Sequence, residues 1–265
     1  MSPDADATDS AGVPWAGRSF QPNPHAEDDG RAPEALAAAV RRFRSGEGGQ
    51  AEVVAAFGAA RLLIPLLADL GDGGHELGAH GLPVDKSQEL SIVTVEGPDG
   101  RRVLPVFASV DAMSAWNPVA RPVPADGVRV ALAAADDGTD LVVLDPGSAG
   151  EFVLRRPAVW AVAQSLPWSP PFESEEVRAA FEQSIATELA VLGVELSPGD
   201  PTARLTGPEL VVRLELVGGL TRAELDAVLQ RLAARWAADD AIATLVDSLA
   251  VRLSGPPDEP GGASA

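Results

Sequence analysis

The sequence predicts an α+β protein made of two small α+β domains. Its 265 residues, 46% of them hydrophobic, are enough for two modest domains that each have a core. The first half contains a β-hairpin signal followed by a short capped helix, which predicts a mixed or antiparallel sheet. The last third has the order helix, strand, strand, helix, strand, which is close to a split βαβ arrangement without its first strand.

The N-terminal domain is predicted over residues 33–165. It follows an N-terminal arm, residues 1–32, whose polar beginning is predicted to be disordered. Pro33 suits the first turn of a helix that ends at Ser45. A second helix is predicted over Gln50–Ala59 from its apolar spacing.

A buried strand is predicted at the short apolar run Leu62–Leu67. Proline has no amide hydrogen to donate to a sheet, so Pro65 predicts that this strand lies at an edge or carries a bulge. The same argument applies to Pro105 in a later strand.

The hairpin is predicted over residues 88–107. The β-rich runs Gln88–Val95 and Val103–Phe107 flank the turn-forming sequence Gly-Pro-Asp-Gly. A helix capped by Ser109 follows, and its apolar residues at helical spacing are Val110, Met113 and Trp116. Asn117 and Pro118 end this helix.

The rest of the N-terminal domain alternates between short strands and helices. Val119–Gly127 is rich in proline and predicts an extended connection. The further predicted elements are a helix over Val128–Ala135, strands over Leu141–Leu144 and Phe152–Leu154, and a helix that Pro157 opens, with Trp160 and Ala163 facing inward.

A proline-rich stretch predicts a linker over residues 166–173, with Trp168 packed between the domains. The C-terminal domain is predicted over residues 174–254, and residues 255–265 are predicted to be a disordered tail. The C-terminal domain is predicted to begin with a helix that Ser174 caps, with an apolar stripe of Val177, Phe181, Ile185 and Leu189. Strands are predicted over Val194–Leu196 and Leu210–Val217. A helix with the capping box Thr221 and Glu224 follows, and then a strand over Leu249–Leu253.

Several of these segments resemble a known family. The sequences VDKSQELSIVTV, VLPVFASVDAMSAWNP and LVVLDPGS are similar to the N-terminal domain of SseB-family proteins of GC-rich bacteria. WAGRSFQPNPHAEDDG at residues 15–30 and, more loosely, the C-terminal third extend this resemblance to an SseB-like C-terminal domain. The resemblance implies family membership, but it implies no agreed reaction, cofactor or catalytic residue.

Composition opposes several classes of function. A net charge of −19 would repel nucleic acids and anionic membrane surfaces. The absence of cysteine excludes disulfides and thiolate chemistry. The acidic start, residues 1–12, lacks the apolar stretch of a signal peptide, and the chain has no uninterrupted apolar run of membrane-spanning length, which predicts a cytoplasmic protein.

No catalytic, cofactor or metal motif is recognised in the chain. The sequence around Ser148 lacks the spacing of a nucleophile elbow. His75 and His80 lie in a glycine-rich loop rather than on one helix face, so no metal site is predicted. We therefore expect no enzyme activity, no cofactor and no metal.

The candidate binding residues lie near the hairpin and its following turns. Lys86 is the only lysine in the chain, and it lies in a polar cluster with Gln88 and Glu89. The other candidates are Trp116, Asn117 and Asp145. The leading hypothesis is an interaction or regulatory module for an unknown protein partner. The alternative is a sensor or enzyme for a small molecule, conceivably an amino acid, with a pocket near Lys86, Asn117 and Asp145.

Overall fold

The α+β class is confirmed by a computed structural model that describes residues 28–68, 90–92, 94–97 and 99–255. The chain divides into two compact units, residues 1–30 and residues 31–265. All of the described helices and strands belong to the second unit. The predicted disordered tail, residues 255–265, lies outside the described residues except for Gly255, as does most of the predicted arm.

Helices and short strands alternate along the described chain. The helices are α1 (Glu34–Ser45), α2 (Gln50–Gly58), α3 (Val110–Trp116), α4 (Gly127–Asp136), α5 (Arg156–Ala163), α6 (Glu175–Ile185), α7 (Arg222–Ala238) and α8 (Asp240–Leu245). The strands are β1 (Arg61–Ala68), β2 (Leu90–Ile92), β3 (Val95–Glu96), β4 (Arg102–Val106), β5 (Arg121–Asp126), β6 (Leu141–Leu144), β7 (Phe152–Leu154), β8 (Val191–Pro198), β9 (Leu210–Leu216) and β10 (Leu249–Ser254). Helix α8 was not predicted, and β5 forms where only an extended connection was predicted.

The described strands form three small sheets. The first has the order β2-β1-β5 and is antiparallel. The second has the order β3-β4-β6-β7, with a parallel pair in its centre. The third has the order β10-β9-β8, in which β8 and β9 are antiparallel, whereas β9 and β10 are parallel. The connection from β9 through α7 and α8 to β10 is therefore a βαβ crossover.

The predicted hairpin over residues 88–107 is correct only in its second half. Val95 pairs with Val103, and the Gly97 amide donates to the Arg101 carbonyl at 2.8 Å across the turn. The first part of the predicted strand, β2, pairs instead with β1 of another sheet. A single β-rich run thus supplies strands to two sheets, which its residue pattern does not reveal.

The prediction that Pro65 lies at an edge or bulge is wrong, because β1 is the middle strand of its sheet. Leu63 exchanges both main-chain hydrogen bonds with Phe107, at 2.8 and 2.9 Å. Main-chain groups alternate in direction along a strand, so those of Pro65 point to the same side, away from β5. Pro65 therefore costs no hydrogen bond to β5. On its other side, the pairing of β1 with β2 begins only at the next residue, Leu66.

Pro105 likewise lies in an inner strand, β4, rather than at an edge. The Asp145 amide donates to the Val106 carbonyl at 2.8 Å, which directs the main chain of Val106 toward β6. The main chain of Pro105 therefore faces the other side, beyond the last residue that β3 pairs. The missing amide hydrogen again costs no bond within the ladder.

Residues 31–265 contain two large hydrophobic cores. The first packs α1, α2, α4 and α5 against the first two sheets, with Phe57 and Phe152 at its centre. The second packs α6, α7 and α8 against the third sheet, around Phe181 and Leu232. The predicted division into domains at residues 166–173 stays a prediction, and Trp168 packs against the first core.

Two predicted inward faces are wrong. Trp160 was predicted to face inward, but its side chain is 38% exposed, and α5 buries Val159 and Val162 instead. Leu189 was predicted to extend the stripe of α6, but that helix ends at Ile185, and Leu189 is 95% exposed. The predicted capping box of α7, formed by Thr221 and Glu224, is confirmed. Among the described helices, none has the length and hydropathy needed to cross a membrane.

Gly127 is required where α4 begins against the end of α2. A Cβ atom on this residue would lie 2.0 Å from the Phe57 carbonyl oxygen, which is backbone and cannot rotate away. We expect Gly127→Ala to lower the free energy of unfolding by about 3 kcal/mol or more, as measured by urea denaturation. The control is Gly193→Ala, where the new Cβ would lie 3.6 Å from the end of the flexible Glu215 side chain. Equal stability of the two variants would contradict this explanation.

Candidate functional site

Three of the six predicted binding residues lie outside the described part of the chain. These are Lys86, Gln88 and Glu89. The other three, Trp116, Asn117 and Asp145, are described, and each supports the local chain. A common pocket for Lys86, Asn117 and Asp145 therefore stays a prediction.

Asp145 ties the end of β6 to the end of β4. It adopts a left-handed φ of 47°, which is unusual for a residue other than glycine. Its carboxylate accepts a hydrogen bond from the Ala108 amide at 2.8 Å. Burial raises the pKa of Asp145 above its usual range, although this hydrogen bond opposes the change. The side chain thus holds two neighbouring strand ends together.

Trp116 and Asn117 form the end of α3. The Trp116 ring lies 5.3 Å from the ring of Phe107, between centroids, and packs against a small apolar cluster. The Asn117 side-chain oxygen accepts a hydrogen bond from the Val119 amide at 3.1 Å. Both contacts stabilise the turn from α3 toward β5.

A cluster of charged side chains joins the segments around β4 and β7 to the loops that precede β9 and β10. Sequence analysis did not identify it. We call it the Arg155 cluster. Its members are Arg155, Arg101, Asp200, Asp247, Glu209 and Ser248. Arg155 directly follows β7, and its guanidinium donates to Asp200 at 2.8 Å and to Asp247 at 3.3 Å. It also donates to the Gly207 carbonyl at 2.8 Å.

Asp200 organises a strained loop between β8 and β9. Ala203 and Leu205 both have left-handed φ angles, 49° and 57°, each costing about 1–3 kcal/mol. The Asp200 carboxylate compensates by accepting bonds from the Leu205 amide at 2.8 Å and from the Thr206 hydroxyl at 2.8 Å. The loop then pairs with the first half of the chain, because the Val153 amide donates to the Ala203 carbonyl at 2.9 Å.

Asp247 and Glu209 complete the cluster from the second half of the chain. Arg101 donates to both oxygens of Asp247, at 2.9 and 3.0 Å. The Asp247 amide donates to the Glu209 carboxylate at 2.7 Å. The pKa values of the two acids are shifted in opposite directions. Hydrogen bonds and charge from Arg101, followed by Arg155, outweigh burial and lower the pKa of Asp247, whereas burial raises the pKa of Glu209 to about 7.

A second buried acid, Glu188, is held by two arginines of α7. Arg231 donates to its carboxylate at 2.8 and 2.9 Å, and Arg235 donates to it at 2.9 Å. Hydrogen bonds from Arg231 are the main reason that the pKa of Glu188 is lowered. This group links α7 to the segment after α6, so it too stabilises the fold.

An open depression of about 490 Å³ lies beside the Arg155 cluster. Its polar lining includes Arg101, Arg155, Asp99, Thr206 and Ser248. The two guanidiniums already bind carboxylates of the chain, since Arg101 also donates to Asp99 at 2.7 Å. The described residues contain no group of three or more His, Asp or Glu side chains placed to hold a metal ion.

Sequence patterns could not identify the Arg155 cluster. Arg155 meets Asp200 and Asp247 across 45 and 92 residues, so no local spacing connects them. One signal was present, because two arginines follow directly after the buried strand β7, where a charged side chain needs a partner.

The chain was compared with models of known protein families. Residues 35–161 match the model of the SseB protein N-terminal domain. This confirms the resemblance for that part of the chain. Searches of curated proteins and of solved structures each gave no significant match.

Removal of the Arg155 guanidinium should destabilise the protein strongly. Arg155→Met leaves the buried Asp200 and Asp247 without this partner, so we expect a loss of about 3–5 kcal/mol in the free energy of unfolding. The control is Arg102→Met, which removes an ion pair to Asp137 whose side chains are both more than half exposed, and should cost below about 1 kcal/mol. Urea denaturation measures both, and similar losses would contradict a structural role for the cluster.

Glu209 should make stability fall as the pH rises. Its folded pKa of about 7 exceeds its ordinary value of 4.5, so the native state binds the proton more tightly than the unfolded state. Its contribution is present below about pH 4.5 and is lost as the pH rises through about 7, on the order of 3 kcal/mol in total. Glu209→Gln keeps an acceptor for the Asp247 amide, so we expect it to reduce this loss between pH 5 and 8. Unfolding in urea at several pH values tests this, and an unchanged slope would contradict it.

Proposed function

We propose that this chain, whose residues 35–161 match the SseB protein N-terminal domain, acts as a non-catalytic interaction or regulatory module in the cytoplasm. The observation that carries this proposal is an apolar stripe at the edge of the third sheet. Val251 and Leu253 of β10 are 36% and 44% exposed, although they share a face with the second core. A core face that continues past the last helix-covered strand suits the addition of a strand from a partner protein.

The buried ionisable groups support a structural role over catalysis. Arg155, Asp200 and Asp247 bind one another, the side chains of Arg101, Thr206 and Ser248, and nearby main-chain groups. Glu209 accepts from the Asp247 amide, and the neighbouring Ser248 hydroxyl is already bonded to Asp247, to Arg155 and to the Glu209 amide. A catalytic group needs access to a substrate as well as a shifted pKa, whereas Arg155, Asp200 and Glu209 are buried and the Asp247 side chain is 2% exposed.

A small-molecule sensor is the second candidate. The feature that favours it is the depression of about 490 Å³, to which Arg101 and Asp99 present a cation and an anion. A zwitterion such as an amino acid would suit such a pair. Binding there would have to displace the existing bond between Arg101 and Asp99 at 2.7 Å, which weakens this candidate.

Two measurements with the full-length protein distinguish the candidates. If the protein is an interaction module, a pull-down from lysate after mild crosslinking should recover a stoichiometric protein partner. Amino acids and divalent metals should then cause no saturable thermal stabilisation of the protein. A sensor should show the reverse, because a ligand that binds only the folded state raises its stability. Stabilisation that disappears in Arg101→Met would assign the ligand to the depression, and stabilisation that disappears in Lys86→Ala would assign it to the Lys86 segment.

The proposal of an interaction module fails if no stoichiometric partner is recovered and a ligand stabilises the protein saturably. Arg102→Met is the control for Arg101→Met, since it removes a neighbouring exposed arginine outside the lining of the depression.

A further inference from the structure

The outer edge of β10 has unpaired main-chain groups within the described structure. The Leu210 amide donates to the Ser248 carbonyl at 3.0 Å, which fixes the phase of the parallel ladder between β9 and β10. Main-chain groups alternate along a strand, so those of residues 250, 252 and 254 face β9. The amide and carbonyl groups of Leu249, Val251 and Leu253 therefore face outward, where no described strand pairs with them.

The same three residues direct apolar side chains to the helix-covered face of the third sheet. Val251 pairs with Val212, and Leu253 pairs with Leu214, both of which are buried in the second core. The helices bury Val212 and Leu214 of β9, but they leave Val251 and Leu253 more than one third exposed. An added strand with apolar residues opposite these positions would extend the core by one strand.

The opposite face of the sheet carries a row of charges that ends at β10. Glu195 of β8 pairs with Arg213 of β9, at 3.6 Å between charged atoms, and Arg213 pairs in register with Arg252 of β10. No described carboxylate forms an ion pair with Arg252, which is exposed. The row thus places two arginines side by side, and an acidic residue on the next strand would reduce their repulsion.

We propose that the outer edge of β10 binds an extended peptide segment of a partner protein, in which apolar residues alternate with acidic residues. The segment adds a fourth strand to the third sheet. Its apolar side chains cover Val251 and Leu253, and an acidic side chain lies opposite Arg252. This inference rests on the proposed function as an interaction module, because it names the surface and the chemistry of the partner.

A second copy of this chain fits the edge less well. Paired residues share a face, so two β10 strands would place residues 250, 252 and 254 of both copies together. In each copy, this face of β10 carries Ala250, Arg252 and Ser254. Self-pairing would therefore bring together two arginines, one from each copy, and no acidic residue. Charge therefore favours an acidic partner strand over self-pairing.

The probe that tests this is an eight-residue peptide of alternating valine and glutamate, with blocked ends and a fluorescent label. We expect its anisotropy to rise saturably with the full-length protein. A peptide of the same composition with paired rather than alternating residues should bind at least tenfold more weakly, because it cannot place all valines on one face. A peptide N-methylated at alternate residues, on the side facing β10, should lose binding, because it cannot donate main-chain hydrogen bonds to the edge.

Two variants identify the edge. Arg252→Glu should weaken the valine–glutamate peptide about fivefold or more and should strengthen a valine–lysine peptide, whereas Arg222→Glu, an equal charge change on α7, should do neither. Val251→Pro removes an outward-facing amide without loss of a bond to β9, and should abolish binding while urea denaturation shows a folded protein. If Val251→Pro does not fold, the N-methylated peptide on the unchanged protein tests the same point.

Equal binding of the alternating and paired peptides, or no binding of either at 1 mM, would overturn the inference. A dimer in sedimentation velocity that Val251→Pro dissociates would also overturn it, because the occupant would then be a second copy. A partner recovered from lysate that Val251→Pro binds equally well would overturn this inference but leave the proposed function standing.

Discussion

Arg155 leaves the end of β7 in the first core and places its guanidinium between Asp200 and Asp247, which belong to loops of the second. A charge buried to this extent is tolerated only where its donors are satisfied, and here two carboxylates and the Gly207 carbonyl accept from it. The same contacts hold the strained loop that carries Asp200 against β7. Arg155 and its partners therefore form a buried link between the two cores.

Two further arginines also join the two halves of the chain. Arg156 donates to the carbonyls of Ala243 and Val246, each at 2.9 Å, at the end of α8, and Arg204 donates to the carbonyls of Ser148 and Ala149 at 3.1 and 3.0 Å. Both arginines donate to main-chain carbonyls rather than to carboxylates, so they hold loops in place without forming ion pairs.

Local patterns predicted the elements of this fold, but they did not predict how the elements meet. The capping box of α7 and the apolar runs of β6, β7 and β9 each contain their signal within a few residues, so they were predicted correctly. The partner of β2 was predicted incorrectly, because strand pairing depends on distant segments. The Arg155 cluster was missed because its charged residues are far apart in the sequence and follow no regular spacing. The exposed edge of β10 was missed because the position of a strand in its sheet depends on all the strands.

The Arg155 cluster couples the two hydrophobic cores, and native-state hydrogen exchange measures this coupling. Slowly exchanging amides of β6 and β9 should share one opening free energy in the unchanged protein, because the cores unfold together. In Arg155→Met, the two sets should separate by at least 1 kcal/mol, the size of effect that loss of a buried ion pair permits. A common opening free energy that falls equally for both strands in the variant would contradict coupling through Arg155.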